Sequence, residues 1–566
     1  MLILGINNMH DAAAVLVCDG KVIAAAEEER FNRKKHTTGF PANAIRYCLK
    51  EAGISIKDVD YISVGWKYWV MKTRLWQALR SVIYSPKALK AKAQRGLGQM
   101  RHEWFELFRL RYLIEKNFGK GKFKIYYFDH HLCHAISAFF VSPFERAAIL
   151  TIDGAGEEVT TMFAIGEGTK VKVLKTIKLP HSLGQFYASI TSFLGFKIQC
   201  DEYKVMGLAA YGEPIYADFF RKVIKPLPQG EFRYNIKILD YHLARKRIFL
   251  PTLTKVIGHP RHPGEAISQR HANIAASAQR ILEEILFHFA NYLYQKTKIK
   301  KLCLAGGVAL NSVANGKLLF HSPFEHIFIQ PAASDAGTAL GAALYLYHSL
   351  TGRGRYLMKD VYLGPAFSSK FCERVLKNFN LTYELLTEDE ICQRAAHALA
   401  SGKLIFWFQG RMEWGPRALG NRSLLADPRK KEMKEIINKR VKHREEFRPF
   451  APSILEEAFE EYFGFKGSFP FMLFTFPVNP KKQDLIPAVV HVDGTARPQT
   501  VNKETNPLYW QLIKYFEKIT GIPLILNTSF NVQEPIVCTP EDAVKTFLRT
   551  KVDHLILNNF WVNRFK

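Results

Sequence analysis

The 566 residues carry 79 lysines and arginines against 52 aspartates and glutamates, a formal net charge of +27, with 48% apolar and 23% charged residues. That length exceeds one hydrophobic core, the ordinary composition excludes an intrinsically disordered chain, and no apolar run reaches the roughly 18 to 20 residues of a bilayer span. The positive balance attracts anions in general and leaves nucleic acid, an anionic membrane and phosphorylated substrates open. Cys18, Cys48, Cys133, Cys200, Cys303, Cys372, Cys392 and Cys538 are scattered without the paired spacing of a zinc ribbon or a disulfide framework. The start, Met1 to Asn7, shows no basic region followed by a long apolar core, so the expected location is cytoplasmic.

Leu2 to Ile6, Ala12 to Val17 and Val22 to Glu27 read as strands, with Asp19-Gly20 as a hairpin turn, and Pro41 to Ala52 reads as a helix. Between residues 67 and 122 Lys72, Arg74, Arg80, Arg95, Arg101 and Arg109 interleave with Trp69, Trp76, Leu79, Trp104, Phe105 and Leu110, the pattern of basic amphipathic helices. A strand over Lys124 to Phe128 leads into a helix that opens Asp129-His130-His131-Leu132-Cys133-His134. Ala147 to Asp153, Thr160 to Ile165 and Val171 to Ile177, followed by a helix over Leu183 to Leu194, repeat the opening pattern, which predicts a duplicated domain. A long helix near residues 266–294 precedes the strand Lys301 to Ala305 and the turn Gly306-Gly307, and Ile327 to Gln330 with Ser334-Asp335-Ala336-Gly337 repeats that device. A strand, a glycine turn and a helix present backbone N–H groups at a strand end. Thr351-Gly352-Arg353-Gly354-Arg355 reads as a linker between a domain of residues 1–352 and a mixed α/β domain of residues 353–566, with strands at Lys403 to Phe408, Ser423 to Ala426, Arg448 to Ile454 and Pro523 to Leu526.

On a helix, His130 and His134 share one face at a spacing that suits one metal ion, and Asp153 and Asp335 stand at comparable strand-end turns. Two imidazoles and two carboxylates suit iron, manganese or zinc. By residue type alone, His10 is a polar turn residue and Glu27 to His36 a surface charge run. The segment Gly410 to Ser423 with Val441 to Pro452 differs. Its cations Arg417, Arg422, Lys442, Arg444 and Arg448 lie among Trp414, Pro416, Leu419, Phe447 and Phe450, the makings of a walled pocket for a dense anion.

This segment resembles the anion-binding part of the NodU/CmcH carbamoyltransferases, which carbamoylate hydroxyl groups, and the resemblance extends over nearly the whole chain outside residues 67–122. It implies an α/β protein: a duplicated actin/Hsp70-like (ASKHA) amino-terminal domain similar to the tRNA threonylcarbamoyl transferase, and a YrdC-like carboxyl-terminal domain that makes carbamoyl-adenylate. It implies a metal, commonly Fe2+, on His130, His134, Asp153 and Asp335, and nucleotide contacts from Gly154, Gly156, Lys204, Gly306, Gly307, Asn311 and Gly337. In the carboxyl-terminal domain Arg417, Lys442, Arg448, Arg497, Asn527 and Ser529 match positions that bind carbamoyl phosphate and ATP, with Arg422 and Arg444 behind them. The His-Asp-Ala start and the Glu-Glu-Glu-Arg-Phe run ending in Arg-Lys-Lys-His border the transfer site in that family. His10 is accordingly expected to steer or deprotonate the acceptor, and Lys35 to neutralise phosphate or adenylate charge.

The expected activity is an ATP-dependent O-carbamoyltransferase with Mg2+ accompanying ATP. Carbamoyl phosphate is the donor, and a hydroxyl of a sugar, glycolipid or natural product the acceptor. Two other classes compete: a tRNA threonylcarbamoyl-type transferase, against which the fused domains and the Gly410 to Ser423 motif argue, and a non-enzymatic nucleotide-binding scaffold, which retention of the whole cation set disfavours. Nucleic acid is not the expected partner. The basic aromatic segment 67–122 is expected either to touch the inner face of an anionic membrane or to form an ordinary helical cap. The sequence fixes no oligomeric state.

Overall fold

A computed structural model of the chain describes residues 1–70, 105–235 and 251–564. The described chain separates into two compact units, residues 1–28 with 36–358, and residues 29–35 with 359–566. The division after Met358 falls a few residues beyond the glycine and arginine stretch, and Glu29–Lys35 joins the second unit although both its neighbours in sequence belong to the first.

The first unit holds two five-stranded sheets. One contains β1 (Leu2–Asn7), β2 (Ala13–Cys18), β3 (Lys21–Glu27), β4 (Tyr61–Val64) and β5 (Lys124–Tyr127) in the order β3-β2-β1-β4-β5. The other contains β6 (Arg146–Ile152), β7 (Val159–Glu167), β8 (Lys170–Lys178), β11 (Lys301–Ala305) and β12 (His326–Ile329) in the order β12-β11-β6-β7-β8, with β9 (Ile224–Leu227) and β10 (Glu231–Tyr234) forming a separate hairpin. In both sheets the first three strands run antiparallel to their neighbours and the last two run parallel beside the first. Strand order and direction are therefore duplicated, so that β1 corresponds to β6, β4 to β11 and β5 to β12. Parallel neighbours align their carboxyl ends, the place where an α/β sheet presents loops to a ligand.

β1 and β6 are almost wholly buried, as central strands covered on both faces require. The helices His130–Phe139 and Ala336–Thr351 lie against them. Glycine makes these approaches possible: a Cβ on Gly5 of β1 would stand 2.0 Å from the Ala339 carbonyl oxygen, and one on Gly341 would stand 1.8 Å from that of Cys133. The long helix Gln269–Thr297 covers the second sheet with an apolar stripe that includes Ile274, Ile281, Ile285 and Phe289.

Of the basic aromatic stretch, residues 71–104 lie outside the described part. Its described flank includes the helix Leu110–Phe118 and exposed Trp69, Phe105, Phe108 and Tyr112. Among the described residues no helix is long and apolar enough to cross a membrane. All eight cysteines are free.

The second unit is built on an eight-stranded mixed sheet containing β13 (Glu384–Leu385), β14 (Ile405–Phe408), β15 (Arg422–Ala426), β16 (Ala451–Leu455), β19 (Gln499–Val501), β20 (Leu524–Ser529), β21 (His554–Leu557) and β22 (Phe560–Asn563). Its order is β13-β22-β21-β14-β15-β20-β16-β19, and β17 (Phe476–Pro477) pairs apart with β18 (Thr495–Ala496). The helix Pro507–Thr520 packs on it through β20 and β16, and the helix Glu388–Ala400, started by a capping box between Thr387 and Glu390, packs against that helix.

Candidate metal centre and anion site

In the first unit, the carboxyl ends of corresponding strands carry polar residues or glycines at corresponding places. His10 follows β1 and Asp153 follows β6; Gly65 follows β4 and Gly306 follows β11; His130 follows β5 and Asp335 follows β12. His130 and His134 are fully buried, and Asp335 occupies the N-cap of its helix. His134 Nε2 lies 3.0 Å from His130 Nε2 and 3.2 Å from Asp153 Oδ2. His130 Nε2 lies 3.4 Å from Asp153 Oδ2 and 3.5 Å from Asp335 Oδ1, while His134 Nε2 is 3.9 Å from the latter. All four donor atoms lie within 4.8 Å of one another. Donors about 2.1 Å from a common ion at tetrahedral angles stand about 3.4 Å apart, so this set has the dimensions of a metal cage.

The electrostatics agree with that fit. Burial works against a charged His130, yet Asp335 and Asp153 hold its pKa up to about 10. His134 is pushed down, first by burial and then by the His130 charge. Burial also opposes ionisation of Asp153, but its two histidine partners hold it well below the usual carboxylate range, whereas burial raises Asp335. Two carboxylates and two facing imidazole nitrogens in a dry space call for a cation between them.

Neighbouring groups aim the ligands. His130 Nδ1 is 3.3 Å from the Gly65 carbonyl, which places the ring proton there and turns Nε2 toward the carboxylates. Trp66 covers the ring at 4.1 Å between centroids. Asp129 makes no side-chain cap for the His130–Phe139 helix. Buried Glu157 does so instead, accepting the His130 N–H at 3.2 and 3.3 Å and the Lys67 N–H at 3.0 Å. Sequence reasoning passed over Glu157, whose only local signal is an acid just after Asp153-Gly154-Ala155-Gly156.

The nucleotide candidates divide. Gly154 and Gly156 follow β6, Gly306 and Gly307 follow β11, and Gly337 opens the helix after β12, so all five lie at the aligned strand ends. Gly306 adopts φ 93 with its Cα against Ile152, where an added Cβ would meet a carbonyl at 2.2 Å. Asn311 caps Ala314 N at 3.0 Å and exchanges amide hydrogen bonds with Gln279, so its side chain is committed within the fold. Lys204 pairs with Asp201 at 3.3 Å. His10 stands in the turn after β1 beside Asp11 and His36.

In the second unit the loop 409–422 between β14 and β15 is tied from inside. Buried Glu413 accepts the N–H groups of Leu419, Asn421 and Arg422 at 2.7, 2.8 and 3.1 Å. Arg422, fully buried, donates to the carbonyls of Gln409, Asn421, Pro365 and Gly410 and stacks on Phe408 at 3.6 Å. Its charge therefore braces the loop. The same loop is held by Arg30, which donates to Gly415 O at 2.7 Å, while Arg33 donates to Ile536 O at 2.7 Å and Pro535 O at 2.6 Å.

The other cations gather. Lys442, 1% exposed, has a pKa well below that of a free lysine, chiefly through burial and then through the charges of Arg444, Arg448 and Lys35. Burial, Arg417, Arg444 and Arg448 act likewise on Arg497. Arg417, Lys442, Arg444, Arg448, Arg497 and Lys35 thus share one neighbourhood whose mutual repulsion favours a bound polyanion. Lys442 ends a π-helical turn, Asn438–Lys442, that stops at His443 with φ 44. Its Nζ donates to Ser529 O at 2.5 Å, Asn531 O at 2.8 Å and Asn531 Oδ1 at 2.9 Å. Asn527, on β20, donates to Ser453 Oγ at 3.0 Å and Gln499 Oε1 at 3.2 Å, and its buried Oδ1 has no partner among the described residues.

The chain belongs to the carbamoyltransferase family, and is an enzyme of that kind: family profiles described as Carbamoyltransferase N-terminus and Carbamoyltransferase C-terminus match residues 2–344 and 396–564. Among its relatives, nodulation protein NolNO of Sinorhizobium fredii is 43% identical over 98% of this chain and 79% of that one. Nodulation protein NolO of Bradyrhizobium diazoefficiens is 43% identical over 77% of this chain and 79% of its own. The uncharacterized protein sll1178 of Synechocystis sp. is 42% identical over 99% and 96% of the two chains. Among solved structures, T. kodakarensis HypF shares 15% identity and a TM-score of 0.32 over 63% of this chain and 48% of that one.

Proposed function

We propose that this carbamoyltransferase works by two half-reactions, one in each unit. In the second unit, taken as YrdC-like, ATP and carbamoyl phosphate are held against their mutual repulsion by Arg417, Lys442, Arg448 and Arg497, with Lys35 and Arg444 adding charge and Asn527 and Ser529 adding polar contacts. Water releases phosphate from carbamoyl phosphate. A carbamate oxygen then bonds to the α-phosphorus of ATP as pyrophosphate leaves, with Mg2+ accompanying the nucleotide. The product is carbamoyl-adenylate, and its transfer takes place in the first unit, read as actin-like because of the duplicated strand order.

There the glycine turns at Gly154, Gly156, Gly306, Gly307 and Gly337 bring backbone donors to the nucleotide, and Lys204 and Asn311 support that side. His10 takes the proton of the acceptor hydroxyl as its oxygen attacks the carbamoyl carbon and AMP departs with the electron pair. His130, His134, Asp153 and Asp335 would hold a divalent ion, Fe2+ by family resemblance, which would supply Lewis-acid polarisation to the transfer step. The acceptor class is a hydroxyl-bearing sugar, glycolipid or natural product.

The observation that supports this proposal is the clustering of Arg444, Arg448 and Lys35 about buried Lys442, with Arg444 and Arg448 also acting on Arg497 beside Arg417, an arrangement suited to a bound polyanion. Pyrophosphate release from ATP and carbamoyl phosphate tests it. Release is expected from the wild type and lost in Lys442→Ala; ATP-dependent release that survives the substitution would exclude the assignment.

A further inference from the structure

The turn after β1 is more elaborate than a loop carrying one histidine requires. Asn7, fully buried at the end of β1, donates to the His10 and Asp11 carbonyls at 2.7 and 3.1 Å and accepts the Met9 N–H at 3.2 Å, so the turn is tied from within. Asp11 adopts φ 53 and His36 adopts φ 52, left-handed conformations that are unfavourable for a residue with a side chain. These backbones put Asp11 Oδ1 2.7 Å from His36 Nδ1 and 3.4 Å from His10 Nδ1. The two rings stack with centroids 5.1 Å apart and planes at 27°. Burial, the largest influence, resists charging either ring, yet Asp11 brings His10 up to about 9, and Asp11 together with Cys200 brings His36 up to about 10. The Asp335 charge acts on His10 as well, and Glu202 feels the charge of His10.

We propose that Asp11 and His36 are positioning residues for His10: in the neutral form of the ring Asp11 holds the remaining proton on Nδ1, leaving the Nε2 lone pair for the acceptor hydroxyl, and His36 fixes the Asp11 carboxylate and stacks the ring in place. The inference rests on His10 as the acceptor-side base. Free imidazole in water favours the opposite tautomer, with its proton on Nε2, and that form has no lone pair at the nitrogen away from Asp11. Asp11 corrects the tautomer and then stabilises the imidazolium formed when the hydroxyl proton arrives, the division of labour known from serine hydrolases. His36 makes the shorter bond to the same oxygen. Without it the carboxylate would be free to rotate away from a ring that it holds only at 3.4 Å.

The test is imidazole 15N NMR on the full-length chain labelled at histidine, under conditions where the His10 ring is neutral, with assignment by His10→Gln. The wild type is expected to show His10 protonated at Nδ1, Asp11→Asn to show it protonated at Nε2, and His36→Asn to show both forms. His131, bonded to Thr151 Oγ1 at 2.7 Å, reports in the same spectrum whether each variant is folded. The His36 variant keeps the test open if Asp11→Asn does not fold. An unchanged Nδ1–H form in both variants, or an Nε2–H form in the wild type, would overturn the proposal. So would a metal ion retained by the cluster in the wild type and lost in both variants, since a ligating Nδ1 carries no proton. The spectrum reads the ring without turnover, so failure of the base assignment itself shows separately, as full carbamoyl transfer by His10→Gln.

Discussion

Replacing Gly341 by alanine puts a methyl group where two metal-bearing helices touch. Gly341 lies in the helix whose N-cap position Asp335 occupies, and the atom its Cβ would strike belongs to Cys133, between His130 and His134 on the other helix. The added carbon would lie 1.8 Å from the Cys133 carbonyl oxygen and 2.6 Å from its carbon. The obstacle is backbone and has no rotamer to escape into, so the helices have to part by about 1.2 Å merely to reach a 3.0 Å contact. Metal–ligand distances tolerate about 0.2 Å. The expected result is a protein that keeps no stoichiometric metal after reconstitution and melts lower, with the about 1 to 3 kcal/mol of an overpacked core as the least cost. Metal content by mass spectrometry and thermal unfolding followed by circular dichroism measure both. Gly354→Ala is the control, because a Cβ there meets nothing within 4 Å. Pyrophosphate release by the second unit should persist in Gly341→Ala. A variant with wild-type metal content and melting temperature would refute both the helix contact and its link to the four ligands.

Arg422 and Arg448 should separate stability from binding. Arg422→Ala orphans buried carbonyls and should lower unfolding stability by about 3 kcal/mol or more, whereas Arg448→Ala should change it by under about 1 kcal/mol and weaken carbamoyl phosphate binding by at least tenfold; denaturant melts and calorimetry distinguish them. Lys442 predicts proton uptake. Burial and three neighbouring cations depress its pKa, a bound phosphate raises it again, and the uncharged fraction of the free site therefore takes up a proton on binding. Calorimetric titration of carbamoyl phosphate near neutral pH, in buffers of different ionisation enthalpy, should show net uptake that falls on acidification and disappears in Lys442→Met.

Much of the first unit was legible because its signals are local. Alternating apolar runs mark the strands, glycine pairs mark their ends, and two histidines four apart on a helix define one face. The repeated order of those signals anticipated the duplicated sheets. The second unit was harder to read. A guanidinium among apolar neighbours can face a ligand or its own loop, and only the fold shows Arg422 spent on loop carbonyls with Glu413 holding the N–H groups opposite. The π-helical turn that delivers Lys442 to Ser529, the last residue of β20, leaves no periodic trace in Met433 to His443. Asp11 and His36 are twenty-five residues apart, and each carries a backbone angle that its residue type does not announce. The charge run before His36 looked like solvated surface, although Arg30 within it is 3% exposed.

The excursion of Glu29–Lys35 makes the two halves inseparable by a single cut. A fragment beginning at Lys359 would contain every strand of the eight-stranded sheet but would lack Arg30 and Arg33, whose guanidinium groups close off the carbonyls of Gly415, Pro535 and Ile536. Splitting this gene after codon 358 would therefore take the Arg30 and Arg33 guanidinium donors away from those carbonyls, since the amino-terminal product would carry them off. Such a chain has to be inherited, expressed and truncated as one piece, or divided only where the seven lent residues travel with the half that uses them.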